Sequence, residues 1–410
     1  MKHHFARRAA GAKRSAIREL LKLTERPEII SFGGGLPAPE TFPHDELAAI
    51  AADELRNNYQ SVLQYGTTEG SRTLRTQMCE WLRPQGIDVT IDDVLITTAS
   101  QQGLDLLCKA FFDEGDVIFC GLPTYLGAVQ AFTLFQIDKV GVPLDDDGMN
   151  LDVLEERIAE CRATGKPMKG IYVIPDFQNP SGITMSLEKR KRLLEIAKRE
   201  DLLIFEDNPY GHLRFAGEPI PPIASMDDEG RVILLITFSK VLCAGLRLAA
   251  MVTRGDLMDA LVRVKQATDL CTSKLTQILA ARYMERYDLD KHLVDIQPIY
   301  RDKRNAMIAA LEKYMPKEEG LRWTEPEGGL FIWMWLPEEI DTAEMIERAI
   351  EHNVAYVPGA ASYVDGTGHN TLRLSFSLAV PDVIDEGIRR LAEVVKEELA
   401  TKRVSAANTA

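Results

Sequence analysis

Residues 170–210 read GIYVIPDFQNPSGITMSLEKRKRLLEIAKREDLLIFEDNPY. The segment opens on a short continuous apolar run and passes through a turn marked by Pro and Gly. It then enters a highly charged stretch, Leu187 to Glu200, with helical spacing. A second apolar run, LLIF, ends abruptly on Glu206 and Asp207. Continuous apolar runs of strand length suit strands buried on both faces, and a helix between two of them suits a parallel crossover. This unit predicts an α/β fold.

The pattern extends in both directions. DVLITT precedes a helical pattern from Gln101 to Phe112, DVIFC precedes one around Leu126 to Phe135, and VILLITF follows the quoted unit. Together they predict a mostly parallel mixed sheet between helices. Ligands of such sheets gather at the carboxyl ends of the strands. TTASQQ, PDFQNPSG, EDNPY and TFSK all fall there. After about Arg286 the texture changes: a long helical stretch, Leu289 to Tyr314, carries Pro298 as an expected kink. GGLFIWMWL, VAYVPG and LRLSFS follow, with a closing helix from about Pro381 to Leu399, which predicts a smaller α+β domain. The expected division is an N-terminal arm and small-domain segment at 1–43, a large domain at 44–288, a small C-terminal domain at 289–400 and a frayed polar tail at 401–410.

The bulk composition excludes several classes of function. The chain of 410 residues, 45% apolar and 27% charged, is ordinary globular material with room for two domains. A net charge of −14 opposes nucleic-acid binding, which needs a cationic face. One basic cluster, Lys2, Arg7, Arg8, Lys13 and Arg14, could be a transit peptide or a nucleic-acid arm, but reads best as a solvated end. No apolar run approaches the ~20 residues of a membrane span, and no signal peptide is present. Six scattered cysteines without a C-x-x-C pair read as reduced core thiols and predict a cytoplasmic location. Seven histidines lack metal-ligand spacing, so no metal site is expected. The GGG at Gly33 to Gly35 lacks G-x-G-x-x-G spacing and opens no helix, which rules out a dinucleotide loop.

The strand ends carry the chemistry. TFSKVLCAGLR, Thr237 to Arg247, surrounds Lys240 with two hydroxyls and an arginine. A lysine after a strand is usually a solvated loop residue. Hydroxyls and an arginine, however, are what a phosphate needs, and a lysine sheltered beside one can become a nucleophilic amine. Such an amine condenses with carbonyls, which points to a phosphorylated aldehyde as cofactor. TTASQQG offers a helix N-terminus suited to an anion, or merely a Ser N-cap. NPSG could be only a turn. Asp207, buried by the preceding LLIF, needs a partner, either a protonated pyridine nitrogen or a structural cation. Arg373 in LRLSFS sits in a strand pattern, where an ion pair to a neighbouring carboxylate would be its ordinary role.

With these motifs in order, the chain resembles the class I aminotransferases of pyridoxal phosphate fold type I over nearly its whole length. It is most similar to the subgroup of 2-aminoadipate and kynurenine aminotransferases. The matches are IRELLKLTERPEIISFGGGLPAPETFP, LQYGTTEG, PTYLGAVQAF, PDFQNPSGITMS, EDNPYGHLRF, TFSKVLCAGLRLA and LRLSFS. The resemblance implies that Lys240 forms the Schiff base, Asp207 pairs with the pyridine nitrogen, and Asn179 and Tyr210 donate to the ring hydroxyl. It implies that Tyr125 stacks on the ring and that Ser100, Gln101, Thr237, Ser239 and Arg247 surround the phosphate. Arg373, helped by Asn179, would hold the substrate α-carboxylate, and Gly34 and Gly35 would lie near the substrate. Tyr65 would reach the phosphate of a partner subunit, which implies a homodimer with shared sites. Arg18 in SAIRELLKL, on an arm covering the site, would receive a distal carboxylate, with Ser15 one helical turn earlier.

The implied reaction is transamination from an L-amino acid (2-aminoadipate, glutamate, aromatic or branched apolar) to a 2-oxo acid such as 2-oxoglutarate. Lys240 would move the proton from Cα to the cofactor carbon. Departures from the family pattern are Ala99 for a frequent Gly, Ala244 for a Pro, and Ala249-Ala250 for a Gly-aromatic pair; they bear on pocket shape. The same groups also serve β-lyases, decarboxylases and oxidative enzymes. A ligand-sensing domain fused to a DNA-binding one is a further rival, opposed by the acidic charge and by motif matches that begin near Ser15.

Overall fold

The computed structural model describes residues 4–10 and 26–409. Among the described residues, fourteen strands, β1 to β14, are Ile30–Ser31, Val94–Thr97, Val117–Leu122, Asp138–Asp145, Gly148–Met149, Met168–Val173, Leu203–Asn208, Val232–Thr237, Ala249–Val252, Arg322–Trp323, Phe331–Trp335, Val354–Ala355, Val357–Pro358 and Thr371–Ser375. Eight form one sheet in the order β2-β9-β8-β7-β6-β3-β4-β5. Its centre, from β8 through β7, β6 and β3 to β4, is parallel. β9 enters antiparallel between β2 and β8, and β5 pairs antiparallel with β4. The sheet is therefore mixed and mostly parallel.

The apolar strands form for the reason their sequence suggests. All six side chains of β8 are buried, and each fully buried Leu or Ile contributes roughly 1.5–3 kcal/mol relative to exposure. The sheet separates two packed layers. Tyr172 and Phe205 belong to the cluster on one face, while Ile171, Val173 and Ile204 belong to the cluster on the other. The charged segment folds as a helix over Leu187–Glu200. Ser186 caps it by accepting from Lys189 N, and Asp201 ends it in the left-handed region at φ 54.

A second sheet, β10-β11-β14-β13, is antiparallel throughout, and a short parallel pair joins β1 to β12. The helix Leu289–Tyr314 runs through Pro298, starting where Asp288 accepts from Lys291 N at 2.9 Å. The final helix extends from Pro381 to Thr409. The frayed tail expected after residue 400 is thus helical instead. Its Ala, Lys and Arg are good helix formers and prolong a helix already nucleated by packing. No helix among the described residues is long and apolar enough to cross a membrane.

Candidate active site

Strand pleating sets the first group. Glu206 and Asp207 are consecutive in β7 and so face opposite sides of the sheet. Glu206 accepts from Ile223 N at 2.9 Å and Ala224 N at 2.8 Å, and burial lifts its carboxyl to about 7. Asp207 lies on the other face, 2% exposed, with Oδ2 accepting from the Tyr172 hydroxyl at 2.8 Å. Its Oδ1 is buried with no partner among the described residues. Burial raises this carboxyl from its ordinary 3.8 to about 6, and the Tyr172 bond opposes the rise. No lysine or arginine pairs with it among the described residues, so the structural-cation alternative finds no cation. A buried carboxylate with one oxygen unsatisfied is costly. It is complementary to a cationic N–H donor.

Lys240 follows β8 on a single π turn, Ser239–Cys243, and its Nζ donates to Gly35 O at 2.7 Å. Burial, then the positive charges of Arg373 and Arg247, pull its ammonium from 10.5 down to about 8. A substantial neutral fraction therefore exists just above neutrality. Thr237 Oγ1 donates to Ser239 Oγ at 2.9 Å and accepts from Ser239 N at 3.1 Å, so the two hydroxyls are adjacent. Arg247 is exposed and takes a left-handed φ of 48 at the end of the turn Ala244–Leu246.

Arg373 occupies the middle of β14, opposite Trp333 and Val357. Its Nη1 donates to Asn179 Oδ1 at 3.0 Å and its Nη2 to Gly33 O at 2.7 Å. The guanidinium lies 4.3 Å from the centre of the Phe331 ring, and Nε is buried without a partner among the described residues. Burial lowers its pKa to about 10, which leaves it charged at neutral pH. Its contacts are neutral, so the expected alternative of a carboxylate ion pair is not what holds it. Asn179 Nδ2 also reaches the Tyr210 hydroxyl at 3.5 Å, and Tyr210 meets Phe331 edge-on at 5.9 Å. NPSG is a turn as well: Gly182 N donates to Gln178 O at 2.6 Å.

The helix Ala99–Phe111 follows β2. Thr98 rather than Ser100 occupies its N-cap position, and Ser100 Oγ is buried without a partner among the described residues. Ala99 stands at φ 60, a region glycine enters freely, which gives physical content to the Gly that the resemblance expects there. Gln101 Nε2 donates to Gly127 O at 3.2 Å. The Tyr125 ring lies over that same glycine, because a Cβ on Gly127 would fall 2.5 Å from it. A Cβ on Gly35 would meet Phe331 at 2.9 Å, whereas one on Gly34 would make only ordinary contact with Leu378 at 3.6 Å.

The structure thus gathers Arg373, Asn179, Tyr210 and Gly33 into one bonded set, with Lys240 bonded to Gly35 on the same loop and Asp207 close enough to act electrostatically on Tyr210. Tyr65 is 77% exposed. Arg18 and Ser15 lie outside the described residues. Sequence reasoning missed Tyr172, Phe331, Gly33 and Gly127. A tyrosine inside an apolar strand needs a partner for its hydroxyl, and that was the one available signal for Tyr172.

Comparison with known proteins follows the same outline. The family model for aminotransferase class I and II matches residues 30–391. The chain is 47% identical to aromatic-amino-acid aminotransferase 1 of Thermococcus litoralis, covering 97% of this chain and 95% of that protein. Pyrococcus horikoshii kynurenine aminotransferase, solved in complex with PMP, is 45% identical with a TM-score of 0.93, covering 97% of this chain and 98% of that one. Thermus thermophilus alpha-aminoadipate aminotransferase, solved with N-(5'-phosphopyridoxyl)-L-leucine, is 40% identical with a TM-score of 0.89 over the same shares, 97% and 98%.

Proposed function

Because this chain belongs to the class I and II aminotransferase family and is a transaminase, we propose that its site works through Lys240, Asp207, Tyr210 and Arg373 on pyridoxal 5'-phosphate. The group fits the residues present: Asp207 Oδ1 and Ser100 Oγ are buried polar atoms awaiting partners, and Lys240 is an amine depressed toward neutrality. Bound there, the cofactor supplies an aldehyde for an amine and a protonated ring that accepts electrons. Asp207 would keep the ring nitrogen protonated. Asn179 and Tyr210 would donate to the ring hydroxyl, and Tyr125, seated over Gly127, would cover the ring face. Ser100, Gln101, Thr237, Ser239 and Arg247 would enclose the phosphate.

Arg373 and Asn179 would bind the substrate α-carboxylate, with the Gly34-Gly35 backbone alongside. The exchange requires the Nη2 contact to Gly33 O to be shared or released. Lys240, once free, would take the proton from the substrate Cα and return it to the cofactor carbon, a role its lowered pKa supports. Exposed Tyr65 supports a homodimer in which it completes the partner's phosphate pocket. Six unpaired thiols support a cytoplasmic location. Substrates would be 2-aminoadipate, glutamate and aromatic or branched apolar amino acids, the acidic ones through Arg18, with 2-oxoglutarate as acceptor.

The observation that carries this reading is the pairing of an amine pulled to about 8 with a buried carboxylate left half-satisfied. A panel of amino donors with 2-oxoglutarate, read as 2-oxo acid formed and amino group transferred, tests it. One-to-one stoichiometry is expected with acidic and aromatic donors. Loss of amine as ammonia or of carbon dioxide would overturn it.

A further inference from the structure

We propose that Tyr172 is the positioning residue that aims Asp207 at the cofactor ring and keeps it in the anionic form the ring nitrogen requires. The inference rests on the reading of Asp207 given above. β6 and β7 pair in parallel with Tyr172 opposite Phe205, so Asp207, two residues on from Phe205, shares the face of Tyr172. The Tyr172 hydroxyl reaches diagonally to Asp207 Oδ2 at 2.8 Å. It is 1% exposed, and its ring is held edge-on by Phe132, with centres 5.6 Å apart. The donor cannot swing away without disturbing the core.

Two consequences follow from the geometry. Occupation of Oδ2 fixes the rotation of the carboxylate and leaves Oδ1, the buried oxygen without a partner among the described residues, as the free acceptor. Donation to the anion also offsets part of its desolvation. Burial and the Asp207 charge hold the phenol well above its ordinary value, so Tyr172 stays protonated and remains a donor throughout the working range. A carboxylate without this bond would tend to protonate, and a neutral acid cannot pair with a ring cation.

Tyr172→Phe removes only the oxygen and preserves the packing. The test reconstitutes wild-type, Tyr172→Phe and Asp207→Asn enzymes with pyridoxal phosphate carrying nitrogen-15 in the ring. It records the nitrogen resonance and, separately, the cofactor dissociation constant. A charged hydrogen bond lost here should weaken cofactor binding roughly 10- to 100-fold and move the resonance toward the unprotonated ring. A residue that merely fills the core would lower the melting temperature and leave the resonance where it was. If Tyr172→Phe leaves resonance and affinity unchanged while Asp207→Asn alters both, the inference falls and the reading of Asp207 stands. If Asp207→Asn alters neither, both fall. Tyr172→Met, apolar and smaller, carries the same expectations if the Phe variant is insoluble.

Discussion

Asp207→Asn should make the cofactor-free protein more stable while removing its activity. The Asp207 carboxyl rises from 3.8 to about 6 on folding, chiefly because burial penalises the anion. A folded pKa above the unfolded one means that the folded state holds the extra proton between those two values. The group's favourable contribution is complete below about pH 4 and is lost as pH climbs through about 6. At pH 8 a rise of about two pH units corresponds to roughly 3 kcal/mol against folding, an upper bound because water entry would relax it. Asparagine keeps the Tyr172 hydrogen bond through its carbonyl and carries no charge. Thermal melts of both cofactor-free proteins from pH 4 to 9 should coincide near pH 4 and separate through pH 6, with the variant higher by a few degrees above that. Saturating pyridoxal phosphate should reverse the order, since only the carboxylate gains a partner. Equal melting curves at every pH would show that Asp207 is satisfied without the cofactor and would refute the reasoning.

Four further outcomes are expected. Lys240→Ala should abolish transamination while retaining some cofactor without a covalent link. Borohydride reduction of the wild type followed by mass spectrometry should find the cofactor on Lys240 and on no other lysine. Mixing Tyr65→Phe with Lys240→Ala subunits at limiting cofactor should restore one competent site per heterodimer, and no gain after demonstrated exchange would count against shared sites. Arg18→Gln should cut kcat/KM for acidic substrates by roughly 30-fold or more and leave leucine and phenylalanine within a few-fold; equal losses would reduce Arg18 to support of the arm.

The strand ends were legible because each follows an apolar run that dictates burial: LLIF before Asp207, VILLI before Thr237 and Lys240, GIYVIP before Asn179. A polar residue at such a point must be paired or functional. The partners were not legible in the same way. That Tyr172 meets Asp207 depends on the register of β6 against β7, which no local pattern specifies. Phe331 beneath Arg373 depends on β11 pairing with β14 across a helix and two short strands. The antiparallel entry of β9 escaped notice because AAMV is too short to announce a direction. The tail misled because polarity was read as disorder when its residues favour helix.

The charge pattern of the site explains why such an arrangement can be tolerated. Burial first, and then the charges of Arg373 and Arg247, depress Lys240, while Asp207 acts on the nearby Tyr210. Among these residues Lys240, Arg373 and Arg247 are cationic groups and Asp207 an acidic one, inside a chain of net charge −14. Without anions this is unfavourable: Arg373 falls to about 10 and Lys240 to about 8, both through burial first. In their place the site uses backbone carbonyls, with Gly33 O accepting from Arg373 and Gly35 O from Lys240. A carbonyl dipole satisfies a donor but neutralises no charge. On the proposed reading, a substrate α-carboxylate at Arg373 would do both. Both carbonyl acceptors belong to the loop between β1 and the turn Pro39–Thr41, so one segment anchors both cations.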